Sequence, residues 1–248
     1  MAISYVGGRG AGRAGATSTV NVPISSGLTG GSGSTAIAND LCIVTVSVGT
    51  AARAPACDIT APAGFTALTV QRTTATTYDT NVQTCYKILT ASDITAGITI
   101  PSTGNTADGQ AYTVQVFRGV DLTTPMDATA TYATGSGVGN QPNPAAITPV
   151  TTGAWIVCCG GGAAGTGTTL YTAAYLTNFL TYNGADTNDG TVGSGYYTGW
   201  TSGAYDPAAF GGGSTNAANS WGATTIALKP AATVSFVFNN TLCLMGAG

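Results

Sequence analysis

The sequence predicts an all-β protein: an antiparallel, jelly-roll-like β-sandwich. Three observations lead there. Short segments rich in Val, Ile, Thr and Tyr recur at intervals of roughly ten to twenty residues, the rhythm of sandwiches and jelly rolls. Hydrophobic residues make up 44% of the chain and charged ones only 7%, so a core can form while the surface must consist of hydroxyls, amides and glycine backbone. No helical periodicity alternates with the strands, which argues against a parallel sheet. One main domain is expected over residues 1–230, followed by a C-terminal extension, 231–248.

Met1–Val6 reads as a short strand running into a glycine-rich loop, Gly7–Gly15, and Thr17–Ile24 as a second strand. Leu41–Val48 is filled with β-branched residues and is expected to be central. Phe65–Gln71 and Val82–Leu89 follow, and Ile98–Ile100 is an edge piece closed by Pro101. Ala111–Asp127 is the clearest strand-plus-corner signal. Tyr112, Val114 and Val116 alternate with Thr113, Gln115 and Phe117, and Pro125 ends the ladder. Arg118 and Asp121 at this corner are expected to form an ion pair or to cap the turn.

Ala128–Tyr132 is a brief strand, Gly135–Pro144 a loop, and Ala154–Cys159 a second buried strand. Leu170–Leu180 fits neither a helical nor an extended template. Trp221–Leu228 closes the main body. Ala232–Phe238, with Val234, Phe236 and Phe238 in register, is an additional strand expected to dock on a neighbour, with Phe236 and Phe238 as assembly contacts.

The chain contains no His and its ten acidic residues are all Asp, which removes the usual Ser–His and Cys–His nucleophilic arrangements. Paired aspartates such as Asp186 with Asp189 or Asp206 remain formally capable of hydrolysis, but their contexts are those of turns. Two segments match G-x-G-x-x-G: Gly10, Gly12 and Gly15, and Gly160, Gly162 and Gly165. Neither opens a βαβ unit, so each is read as a flexible glycine loop rather than a dinucleotide site. Asp186–Gly190 resembles the first half of a calcium loop without its closing Glu. No catalytic residue, cofactor or metal is therefore assigned, and the chain is read as a non-enzyme.

A net charge of −3, with Arg9 and Arg13 the only basic pair, gives no footprint for nucleic acid. The longest apolar stretch, Leu41–Val48, is far short of the ~20 residues a membrane helix needs, and the opening residues show no secretion signal. Six cysteines lack the CxxC spacing of zinc sites; Cys57 and Cys85, flanking one strand-turn unit, are the first choice for a disulfide. Tyr196, Tyr197, Trp200, Tyr205 and Phe210 form an aromatic, glycine-spaced set. It is read as core and corner filling, with a glycan or protein contact through Tyr196, Tyr197, Trp200 and Tyr205 as the other reading.

Taken as a set, MAISYVGG, DLCIVTVSV, TAPAGFTAL, CYKILTASD, VFRGVDLTTPMDAT, PAAITPVTTGAWIVCCGGG, TSGAYDPAAF and SWGATTIALKP resemble virion surface proteins of tailed bacteriophages and prophages. The resemblance spans most of residues 1–230 and implies a jelly-roll-like sandwich on the particle exterior, made in the host cytoplasm. It implies a capsid decoration or head-fibre subunit, a homo-oligomer such as a trimer that suits an icosahedral shell, contacting the major capsid protein or other virion proteins. The other expectation is a tail-fibre or receptor-binding module for host glycans. The six thiols and the 232–248 tail depart from the family pattern.

Overall fold

The computed structural model describes residues 2–15, 17–50, 59–75, 78–103, 109–136, 139, 141–165, 169–184, 188–214 and 219–232, with backbone only at 164, 165, 188 and 189. The elements run in order β1 (Ser4–Arg13), β2 (Val20–Val22), β3 (Leu41–Thr50), β4 (Thr66–Ala67), β5 (Gln71–Thr73), β6 (Asp79–Ile88), α1 (Ala91–Ala96), β7 (Ile98–Ile100) and β8 (Gln110–Arg118). The second half continues with β9 (Met126–Ser136), β10 (Trp155–Gly165), β11 (Tyr171–Thr172), β12 (Thr177–Asn183), β13 (Asn188–Tyr197), β14 (Gly211–Gly212) and β15 (Ser220–Leu228).

Two antiparallel sheets face each other. The first has the order β1-β8-β3-β6, with β4 and β5 outside β6; the second has the order β12-β13-β10-β15-β9. In the interface β12 lies against β1 and β8, β10 and β13 against β3, and β15 against β6. This is the antiparallel β-sandwich the sequence predicts. Its outer faces are also covered, by the β2–β7 pair and α1 on one side and by the β11–β14 pair and its flanking loops on the other. Burial on both faces explains why β3 and β15 read as unbroken runs rather than as alternating ones. Leu41 and Ile43 point between the sheets with Val157 and Ile226, while Cys42, Val44, Val46 and Val48 point outward against Ile24, Leu28 and Ile100.

Each sheet is built from one half of the chain, and both halves follow the same path. In each, the first strand (β1 or β9) lies beside the last (β8 or β15), the last beside the second (β3 or β10), and the second beside the third (β6 or β13). A short preceding strand, β5 or β12, flanks that third strand. The entry to the second strand repeats as well. Asn39 (φ 72) and Gly153 (φ 84) are both left-handed, and Asp40 N donates to Ile37 O (3.2 Å) as Ala154 N donates to Thr151 O (3.0 Å). The two sheets thus share one strand path.

The interior changes character along the strands. At the end nearest residues 119–125 it is filled by Tyr5, Phe117, Trp155 and Tyr196; at the far end hydroxyls and glycines replace them. There Ser194 Oγ donates to Thr113 Oγ1 (2.8 Å), Thr80 Oγ1 to Ser220 O (2.9 Å), and Gly190 N to Gly109 O (3.2 Å), a backbone hydrogen bond between the sheets. This close approach corrects two expectations. Gly7–Gly15 and Gly160–Gly165 are not loops but lie largely in β1 and β10, because glycine is what the narrow interface admits. A Cβ on Gly10 would sit 2.5 Å from Tyr182 Cε2 of the opposing sheet, and one on Gly161 would sit 2.4 Å from Ser47 Oγ.

Smaller departures have local causes. Phe65–Gln71 is broken into β4 and β5, and β9 runs on to Ser136 under Trp221. Leu170–Leu180 resolves into β11 and the start of β12. The helix α1 was not expected; Thr90 and Asp93 close a capping box around its first turn. Ala232 is the last residue described, so the expected strand Ala232–Phe238, with Phe236 and Phe238, otherwise lies outside the described residues, as do Cys57, Asp186 and Cys243.

Candidate functional site

The wide end of the sandwich carries exposed apolar side chains and two pockets. Arg118 ends β8, and the chain turns through 119–125 to reach β9. Residues 229–231, leaving β15, run antiparallel to this corner: Asp121 N donates to Lys229 O (2.9 Å), Ala231 N donates to Gly119 O (2.8 Å), and Val120 bridges Pro230. Two pockets flank this crossing. One, of about 320 Å³, is lined by Ile37–Asp40, Arg118, Val120, Leu122 and Ala231. The other, of about 480 Å³, is lined by Ala2, Ile3, Thr151–Gly153, Trp155 and Pro230–Ala232. Of the four exposed large apolar side chains among the described residues, Ile37 (49% exposed), Leu122 (50%) and Val150 (76%) belong to this region, and Leu170 (44%) lies beside β11.

Asp40 organises the floor of the smaller pocket. Only 1% exposed, it accepts Arg118 Nε and a second guanidinium nitrogen, each at 2.8 Å, and Ile37 N at 2.8 Å. These bonds raise the Arg118 pKa further, against the opposing effect of burial. The expected Arg118–Asp121 pair is therefore corrected. Asp121 instead accepts Thr123 N and Thr124 N (2.9 Å each) and faces Lys229 Nζ at 3.4 Å, and the Thr124 and Thr123 amides hold its carboxyl below the usual range. The turn-capping role of Asp121 was legible from its place before Thr123–Thr124–Pro125; the partner of Arg118 was not, because Asp40 is 78 residues away in sequence.

Arg118→Met leaves Asp40 buried with Ile37 N alone. Its expected cost is about 2 kcal/mol, measured by urea unfolding, and an additional Asp40→Asn should recover part of the loss. Equal costs for the single and double variants would remove the pair's structural role.

The predicted aromatic set is divided by strand alternation. Tyr196 points between the sheets, stacked on Trp155 (4.9 Å, 12°) and edge-on to Phe117 (5.7 Å), with Asn178 Nδ2 donating to its hydroxyl at 2.7 Å. Tyr197 points outward and stacks on Tyr205 (4.5 Å, 15°), while Trp200 Nε1 donates to Gly203 O (2.9 Å). Tyr197, Trp200 and Tyr205 are half-buried against the cover of the second sheet. Phe210, fully buried, belongs to the same outer cluster, so Tyr196 alone of the set faces the interior.

The Cys57–Cys85 bridge is corrected: Cys85 is a free thiol, enclosed in the outer core of the first sheet, with its sulfur donating to Val44 O at 3.7 Å. Cys42, Cys158 and Cys159 are likewise free and buried. Burial raises all four pKa values; that of Cys159 reaches about 11 despite hydrogen bonds from Thr45 and Thr84. Such thiols act as small apolar side chains rather than nucleophiles.

Comparison with protein-family models, with curated proteins and with solved structures finds no match to this chain.

Proposed function

We propose that the protein is a non-enzymatic structural subunit of a bacteriophage particle, on its exterior, acting as a capsid decoration or head-fibre protein. The observation that carries this reading is the apolar wide end, where exposed Ile37 and Leu122 line one pocket at the corner crossing and exposed Val150 precedes Thr151 of the second. Exposed apolar side chains gathered at one end of a charge-poor body suit attachment to another protein surface. The resemblance to phage virion surface proteins supplies the setting, and a symmetric shell favours a homo-oligomer such as a trimer.

The test is recovery of the chain in purified particles, counted by gel densitometry. Copies on the order of hundreds fit a decoration protein, and about a dozen or fewer fit a tail fibre, as the symmetries of shell and tail require. Leu122→Asp with Ile37→Asp should abolish incorporation while leaving the fold intact; normal incorporation would sink the attachment role. A second reading, glycan recognition, is favoured by the stacked Tyr197–Tyr205 pair beside half-buried Trp200. It requires glycan binding that disappears in Trp200→Ala.

A further inference from the structure

The shared strand path leaves one strand position with two claimants. In the first half the chain leaves the last strand, β8, turns through 119–125 and becomes β9, which lies beside β15. The same path in the second half would send the chain leaving β15 toward the equivalent place, beside β8. That place is held by β1, paired through Ser4↔Arg118 and Tyr5↔Phe117. The chain does arrive there: Ala231 and Ala232 line one pocket together with Ala2 and Ile3, and a Cβ on Gly119, which bonds Ala231, would lie 2.3 Å from Ala2 O.

The sequence beyond Ala232 fits the same place. Val234-Ser235-Phe236-Val237 repeats Ile3-Ser4-Tyr5-Val6 residue for residue in character. Ile3 and Tyr5 fill the core between the sheets and Val6 fills the outer core, so Val234, Phe236 and Val237 carry the side chains those three positions need. Residues 233–248 contain no charge to be stranded in that interior. The likeness ends where β1 has its bulge, between Tyr5 and Gly7. Gly8 has no room for a side chain, its Cβ falling 2.8 Å from Leu180 Cδ1 and from Val114 O, whereas Phe238-Asn239-Asn240 follows Val237.

The geometry points to Val234–Val237 of the same chain as a second occupant of the site beside β8 that Ile3–Val6 fills. The two segments compete for one strand position. When the C-terminal segment enters, residues 1–6 are released as a free apolar arm, able to add to an open sheet edge of a neighbouring protein. This exchange concerns the isolated protein and does not depend on where the protein is located.

A truncation cycle on the purified full chain tests it. Removal of residues 233–248 should leave Tm nearly unchanged, because β1 holds the site. Removal of residues 2–6 should be tolerated only while 233–248 is present, and removal of both should lower Tm by a further 10 °C or so. If deletion of 2–6 itself prevents folding, Tyr5→Asp replaces it, scored with and without Phe236→Asp: the pair should be more damaging than the sum of the single changes. Equal Tm with and without 233–248 in the 2–6 deletion, or additive single changes, would overturn the proposal. Rescue that depends on protein concentration would also overturn it, since the occupant would then come from a second copy.

Discussion

Gly161→Ala and Gly190→Ala are each expected to cost about 3 kcal/mol or more, among the largest effects a single methyl group can have in this fold. Both glycines face Ser47 across the narrow end of the sandwich. The new Cβ of Gly161 would lie 2.4 Å from Ser47 Oγ, 2.5 Å from Ser47 Cβ and 2.9 Å from Thr191 O. That of Gly190 would lie 2.7 Å from both Gly109 O and Ser47 O, and 2.9 Å from Gly49 N. These are backbone atoms and a short side chain, so no rotamer change relieves the overlap. The sheets must separate, breaking Gly190 N to Gly109 O and Ser194 Oγ to Thr113 Oγ1 as they do. Gly33→Ala is the control, with its nearest contact at an ordinary 3.7 Å, and should change stability by less than about 0.5 kcal/mol. Urea unfolding measures all three. Parity between Gly161→Ala and Gly33→Ala would mean that the sheets do not approach as closely as described.

The second large effect is alkaline unfolding under reducing conditions. Burial holds Cys42, Cys85, Cys158 and Cys159 protonated in the folded protein. An unfolded thiol ionises near ~8.5. Above that pH the unfolded chain binds fewer protons than the folded one, so stability falls as pH rises; it is fully present below the unfolded value. Each thiol removes about 1.4 kcal/mol per pH unit until its folded pKa is reached. For Cys159, with a folded value of about 11, the total is roughly 3 kcal/mol, and the three other thiols add in the same direction. Tyr205, raised to about 12 mainly by burial, extends the trend above pH 10. The urea midpoint should therefore drop steeply between about pH 8.5 and 11, and Cys159→Ala should flatten the slope. A chromogenic disulfide reagent should leave these four thiols unmodified in the native protein at pH 8 and titrate them in urea. A pH-independent midpoint, or rapid native modification in a Cys57→Ser, Cys243→Ser background, would refute the burial argument.

Much of the strand content was legible because β-branched runs and turn residues are local signals. Leu41–Val48, Val82–Leu89, Ile98–Ile100, Tyr112–Phe117, Ala154–Cys159 and Trp221–Leu228 all lie within or nearly coincide with observed strands. The glycine segments misled for a physical reason. Alone, Gly8, Gly10 and Gly12 signal flexibility, and only an opposing sheet close enough to exclude a Cβ makes them strand residues. The candidate end surface was partly legible. The 111–127 corner and the turn-capping aspartate could be read, but the Arg118–Asp40 pair, the Val120–Pro230 crossing and the meeting of Ala2 with Ala231 are long-range.

By itself the sequence determined that this chain is all-β, charge-poor and built from short antiparallel strands, because composition and period-two patterning act residue by residue. The tertiary structure alone decided that each half forms its own sheet along the same path, that Tyr196 is interior while Tyr197 faces the cover, and that four cysteines remain thiols. Those outcomes depend on which segments pack against which, and packing partners separated by a hundred residues leave no mark on the pattern of either segment alone.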